Sequence, residues 1–141
     1  MKNKTIAIVT APFYQSIING LYQGAETYLT QQSYNVERID VPGALEIPLA
    51  CQLLAQSNKY CGIVALGAVI RGETAHFDHV CEQSARGIMD VSLKHDFPIG
   101  NGIITVENEA QAIARSSDNE KNKGYEAAVA AIELLKLKQS L

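Results

Sequence analysis

Cys61–Gly62–Ile63–Val64–Ala65–Leu66–Gly67–Ala68–Val69–Ile70–Arg71–Gly72–Glu73–Thr74–Ala75–His76–Phe77–Asp78–His79–Val80 changes its periodicity halfway along. Through Ile70 it is a nearly uncharged apolar run containing Ile63, Val64, Leu66, Val69 and Ile70, the pattern of a strand buried on both faces. Arg71–Gly72–Glu73 interrupts that run. Phe77, Val80, Cys81, Ser84, Ile88 and Val91 then recur at three- and four-residue steps. That spacing predicts a helix from near Thr74, a good N-cap residue, to about His95. Strand, glycine turn and helix start together make a ready anion site, because free backbone N–H groups and the helix dipole both face the turn. His76 falls in the first turn of that helix, beside any anion held there. Such turns occur in every α/β protein, however, and a histidine near a helix start is most often simply solvated.

Upstream, Thr5–Ile6–Ala7–Ile8–Val9–Thr10 reads as a first buried strand, stopped where Pro12 removes a ladder donor. Ser16 is placed to cap a helix with the apolar face Ile17, Ile18, Leu21, Tyr22, Ala25, Tyr28 and Leu29. Asn35 to Val41 is a less apolar strand, expected at the sheet edge and ended by Pro42–Gly43. A second helix runs from about Leu45 to Ser57, with Pro48 tolerated in its first turn. Downstream, Phe97–Pro98 restarts the chain as a fourth strand through Thr105. A short helix carrying Ala110, Ile113 and Ala114 follows, then a polar stretch from Ser116 to Lys123. The last amphipathic helix spans about Gly124 to Lys138 with Ala128, Ala131, Ile132, Leu135 and Leu137. Strands and helices alternating in this way predict a three-layer α/β sandwich. Its core is a four-stranded parallel sheet in flavodoxin-like order 2-1-3-4, with helices on both faces. Ligands of such sheets bind beyond the carboxyl ends of the strands. Phe13, the Pro42–Glu46 turn, Arg71 to His76 and Asn101 to Asn108 are all expected there.

The bulk numbers exclude several classes. A chain of 141 residues reads as one domain over 1–141, able to bury roughly 70% of its unfolded surface without metals or disulfides. Its 47% hydrophobic and 19% charged residues are ordinary for a soluble globular protein. A net charge of −3 gives no reason to expect nucleic acid or a membrane surface as partner. No apolar run approaches the roughly 20 residues of a membrane span. Met1–Lys2–Asn3–Lys4, with a short strand behind it, does not read as a cleavable signal. Cys51, Cys61 and Cys81 lack the paired spacing of a zinc or redox motif and read as reduced thiols of a cytoplasmic protein, Cys81 packing rather than reacting.

The segment Gly67–Ala68–Val69–Ile70–Arg71–Gly72–Glu73–Thr74–Ala75–His76–Phe77–Asp78 closely resembles the signature of the lumazine synthase family. Val41–Pro42–Gly43–Ala44–Leu45–Glu46–Ile47–Pro48 is similar to that family's V-P-G-A-F-E-I-P turn. Ala110–Gln111–Ala112–Ile113–Ala114–Arg115 resembles its Q-A-I-E-R segment, and Asn122–Lys123–Gly124–Tyr125–Glu126–Ala127–Ala128 its N-K-G-x-E-A-A segment. The intervals between these motifs also agree with the family's.

The resemblance implies condensation of 5-amino-6-(D-ribitylamino)uracil with L-3,4-dihydroxy-2-butanone 4-phosphate to 6,7-dimethyl-8-ribityllumazine, with loss of phosphate and water. The substrates supply nucleophile and leaving group, so the site needs positioning, an anion clamp and a proton shuttle, and no metal or organic cofactor. Carried over residue by residue, His76 is the proton shuttle and Arg115 the phosphate clamp, with Lys123 beside it. Glu73 and Thr74 match the family's phosphate-side contacts. Phe13 matches the aromatic that stacks on the pyrimidine. Ala44, Leu45 and Glu46 match the turn on the ribityl chain, and Ala68, Val69 and Ile70 the strand end facing the pyrimidine. Taken alone, Phe13 could equally be core, Arg115 a surface charge, and Glu46 and Glu73 ordinary first-turn acids.

Four positions depart from the family pattern. Tyr14 and Pro12 flank Phe13 where Asn and Arg are common, Leu45 replaces an aromatic, and Asn101 stands where Phe is usual. The last change makes an apolar pocket wall polar and predicts weaker pyrimidine binding. The resemblance further implies a homopentamer with sites between adjacent subunits, the neighbour supplying Asn101 and Arg115, and a riboflavin synthase as partner. Ser116–Ser117–Asp118–Asn119–Glu120–Lys121 lacks the glycine-containing loop associated with capsids of sixty chains, which favours a pentamer or a pentamer pair. Two alternatives stand beside this reading: a flavin- or lumazine-binding relative without catalysis, and an archaeal-type riboflavin synthase.

Overall fold

Residues alternating along the strands divide the apolar side chains between two cores. The computed structural model describes residues 3–141; Met1 and Lys2, which begin the stretch read above as no signal, lie outside the described residues. Four strands, β1 (Thr5–Thr10), β2 (Asn35–Asp40), β3 (Gly62–Ile70) and β4 (Ile99–Val106), form one parallel sheet in the order β2-β1-β3-β4. Ile6 and Ile8 of β1 point to one face, with Val64 and Leu66 of β3 and Ile104 and Val106 of β4. Helices α1 (Gln15–Gln31) and α5 (Lys123–Ser140) cover that face, joined by the short α4 (Glu109–Ser116). Ala7, Val9, Ile63, Ala65 and Ile99 point to the other face, under α2 (Ile47–Gln56) and α3 (His76–His95). The strand order and two-faced helix cover are those expected from the sequence, and β2 is an edge.

Helix starts differ from the expectation. α3 begins at His76 rather than near Thr74, with Ala75 at the N-cap. Residues 71–75 are spent in a turn, within which Thr74 Oγ1 accepts weakly from the His76 N–H at 3.3 Å. α1 begins at Gln15 behind Tyr14, so Ser16 lies inside the first turn and caps nothing. The second helix is entered through a 3-10 turn, Ala44–Glu46, that leads into α2. On α4 the face chosen from periodicity is the wrong one: Ala112 and Ser116 are buried, while Ala110, Ile113 and Ala114 face outward. Leu137, expected on the buried face of α5, is 57% exposed. In both cases the helix is rich in alanine, which suits either face, and packing rather than pattern decided.

The α4–α5 corner is sewn to α1 by one buried side chain. Asn122 Nδ2 donates to the backbone carbonyls of Gly20, Ser116 and Ser117 at 3.0, 3.2 and 3.0 Å. Its Oδ1 accepts from the Tyr125 N–H at 3.0 Å, capping α5. Glycine is needed where the helices touch: a Cβ at Gly124 would collide with the Leu21 carbonyl, and one at Gly20 with that of Ser116. Arg115 and Lys123, on either side of this corner, are positioned by it.

Candidate active site

All four strands point their carboxyl ends the same way, so the loops that follow β1, β2 and β3 converge. Between them lies a cleft of about 460 Å³ lined by Ala11, Phe13 and Tyr14 after β1, Pro42 to Glu46 after β2, Ala68, Val69 and Ile70 at the end of β3, and His76 and Val80 of α3. Phe13 is 76% exposed, which removes core packing as its explanation. Its ring meets Tyr14 edge-on, with centroids 5.2 Å apart and planes at 68°. An exposed aromatic beside an apolar strand end is a platform for a flat ring. Glu46, at the end of the 3-10 turn, brings a carboxylate able to accept from hydroxyls. His76 opens α3 and is exposed to the cleft. A base or acid there can reach a bound molecule through water or directly.

The remaining expected residues separate from this group. Asn101, Arg115 and Lys123 line a second, smaller groove of about 200 Å³ along β4, with Gly102, Ile103, Ile104 and Thr105. Its charged residues are both cations, which suits an anion. Arg115 Nη1 donates to the Gln111 carbonyl at 3.0 Å and, among the described residues, makes no ion pair. Lys123 is engaged by Glu126 at 3.1 Å. Asn101 Oδ1 accepts from the Ile103 N–H at 2.9 Å, a polar group where an aromatic was the usual expectation. Glu73 and Thr74 line neither cavity and stand exposed in the turn between β3 and α3. One chain therefore presents two separate cavities, the first with an exposed aromatic and the Glu46 carboxylate, the second basic.

Ala11 and Val80 line the cleft without having been singled out in the sequence, and Tyr14 was noted only as a departure. Pro42 and Gly43 were visible within the second-strand turn; Val80 was indistinguishable from core in a helical stripe. At the ends of β1 and β2, buried Thr10 hydrogen-bonds the Asp40 carboxylate, which Arg38 also reaches at 3.0 Å. The Thr10 hydroxyl, then Arg38, hold the Asp40 carboxyl below the ordinary carboxylate value. Burial pushes the Cys51 thiol up to about 12, and burial with the nearby Asp78 charge also raises Cys81. All three cysteines are free, and neither of these two has the character of a nucleophile.

A parallel sheet of this order defines a flavodoxin-like α/β protein, a class whose ligands bind past the strand carboxyl ends, where this cleft lies. Within that class, residues 3–139 match the model of the 6,7-dimethyl-8-ribityllumazine synthase family. The chain is 52% identical to the 6,7-dimethyl-8-ribityllumazine synthase of Novosphingobium aromaticivorans, over 94% of each chain. It is 43% identical to that of Desulfovibrio desulfuricans, over 99% of this chain and 92% of the other, and 48% identical to that of Zymomonas mobilis, over 95% and 96%. The chain belongs to the 6,7-dimethyl-8-ribityllumazine synthase family. A solved GDP-L-fucose synthetase from Naegleria fowleri, 12% identical with a TM-score of 0.48 over 99% of this chain and 45% of its own, is too distant to bear on function.

Proposed function

We propose that this chain is a lumazine synthase, joining 5-amino-6-(D-ribitylamino)uracil to L-3,4-dihydroxy-2-butanone 4-phosphate to give 6,7-dimethyl-8-ribityllumazine in riboflavin biosynthesis. The carrying observation is the cleft that gathers Phe13, the Pro42–Glu46 turn, the end of β3 and His76 in a chain of this family. Phe13 stacks on the pyrimidine, and Ala44, Leu45 and Glu46 hold the ribityl chain. Ala68, Val69 and Ile70 form the wall against the ring. The 5-amino group attacks the ketone, water leaves, and a Schiff base forms. Loss of a proton and departure of phosphate leave an enol that tautomerises to a ketone. The ribitylamino nitrogen attacks that carbonyl, and a second water leaves as the second ring closes. His76 moves the protons of these steps. Holding both substrates together supplies most of the remaining acceleration.

Arg115 binds the phosphate, with Lys123 adding charge, a role suited to a planar guanidinium that makes no ion pair among the described residues. Glu73 and Thr74, with the backbone of their turn, complete the phosphate side. The two partial sites form one whole where the cleft of one copy meets the β4 groove of the next. Such a head-to-tail contact closes into a ring, which we take to be a homopentamer, alone or paired. The apolar side chains Leu49 and Leu53 of α2 and Met89 and Leu93 of α3, each more than half exposed, support burial against further copies. Sedimentation at five or ten chain masses fits this assembly; sedimentation at sixty chain masses contradicts it. No helix among the described residues is long and apolar enough to cross a membrane. We assign the enzyme to the cytoplasm, and a riboflavin synthase is the partner that would consume its product.

Absorbance of the lumazine, followed with both substrates for wild type, His76→Ala and a protein-free blank, tests the reading. The blank is needed because these substrates condense slowly unaided. A wild-type rate well above the blank and a lower rate for His76→Ala are expected. A wild-type rate equal to the blank, with lumazine or riboflavin still bound, would instead identify a carrier.

A further inference from the structure

Arg71 lies in neither cavity, yet it contacts three parts of the chain that must agree in position. Its backbone N–H donates to the carbonyl of Val106, the last residue of β4, at 2.9 Å. Its Nε sits between the two carboxylate oxygens of Glu107 at 2.9 and 3.0 Å. Its Nη2 reaches Asp78 Oδ1 at 3.3 Å, and its guanidinium carbon stacks 4.4 Å from the Phe77 ring centroid. Phe77 and Asp78 are the two residues immediately after His76. On the far side, the Glu107 N–H donates to the Gln111 side chain at 2.8 Å, and the Gln111 carbonyl accepts from Arg115 at 3.0 Å. A continuous line of contacts thus runs from the first turn of α3, through Arg71 and Glu107, to the helix that bears Arg115.

We propose that Arg71 is a positioning residue that braces the His76-bearing start of α3 against the β4–α4 junction. The start of α3 needs such a brace. The turn over residues 71–75 is exposed, and the helix lacks a side-chain N-cap bond. Arginine suits the role because its planar fork meets a carboxylate while its face lies on a ring; an ammonium cannot do both. Exposed ion pairs contribute little to global stability. Arg71 therefore acts on the placement of His76 far more than on folding.

Two measurements on Arg71→Gln, Arg71→Lys, Glu107→Gln and the Arg71→Gln/Glu107→Gln double variant test the brace. Hydrogen–deuterium exchange reads it whether or not the chain catalyses. Faster exchange confined to residues 71–80 and 106–112 in Arg71→Gln is expected, with the melting temperature nearly unchanged. Unaltered exchange there overturns the proposal. The kinetic consequence rests on the lumazine synthase reading, and a wild type no faster than the blank defeats that reading while exchange still decides the brace. In an active enzyme, Arg71→Gln lowers kcat about tenfold or more, the scale of a small misplacement of a reacting group, with both KM values within about twofold. Arg71→Lys recovers only part of the loss, and the double variant is no worse than Arg71→Gln. A raised KM for the phosphate substrate at unchanged kcat, or a wild-type Glu107→Gln, would show Arg71 binding substrate directly and overturn the brace.

Discussion

Asn101 is the residue at which this chain departs most clearly from the pattern its motifs set. It faces the basic groove beside Arg115, with its side-chain oxygen turned back to the Ile103 N–H. An aromatic ring there would present apolar surface to a bound heterocycle, and a base–aromatic stack contributes about 1–3 kcal/mol. Asn101→Phe is therefore expected to lower the KM for the uracil substrate several-fold, measured with the phosphate substrate saturating. An unchanged or higher KM contradicts that role. At this scale the sequence was most informative where a residue's type is tied to a job. His76, Glu46 and Phe13 were all singled out from the chain, and they line one cleft. Arg71 was seen only as part of a turn, because a brace is defined by partners 7 and 36 residues away, Asp78 and Glu107, and neither separation marks a motif.

At the scale of elements, strands were legible almost to their ends. An uncharged run such as Ile63 to Leu66 has no solvated alternative, and all four of those residues are fully buried. Helix starts were less legible, since Thr74 and Ser16 are both good caps by type and neither starts its helix. The chain needs a five-residue turn to leave β3 and reverse, a demand of geometry that propensity does not carry. α4 shows the same limit: Ala110, Ile113 and Ala114 make a plausible apolar face, but the Asn122 corner holds Ala112 and Ser116 inward instead.

One pH dependence belongs to this scale, at the end of β1 and β2. Hydrogen bonding from Thr10, then Arg38, lowers the Asp40 carboxyl below its ordinary value of 3.8. A lowered folded-state value means a stabilising contribution that is complete above pH ~4 and lost as pH falls through the folded value. Asp40→Asn should therefore be less stable than wild type at neutral pH, by denaturant titration, with the gap narrowing as pH drops below about 4. A gap independent of pH would show that the Asp40 charge contributes nothing.

At the scale of the whole molecule, sheet order followed from alternation of strands and helices, but the division of the site did not. Sequence position says only that Phe13, His76, Asn101 and Arg115 lie near strand carboxyl ends. The predicted order already made β4 an outer strand, and the resemblance implied that a neighbour supplies Asn101 and Arg115. That the β4 groove stands apart from the cleft beside β1 within one chain emerges from the assembled sheet. His76 lines one cavity and Arg115 the other, so the proposed proton shuttle and phosphate clamp can serve one reaction only if two copies meet. The most direct test is to co-express His76→Ala with Arg115→Ala and purify the mixed assemblies. Each variant alone should be nearly inactive. With random mixing, about one junction in four joins an intact cleft to an intact groove, so roughly a quarter of wild-type lumazine formation should return. Mixed assemblies no more active than either variant alone would mean that His76 and Arg115 do not meet across a junction between copies.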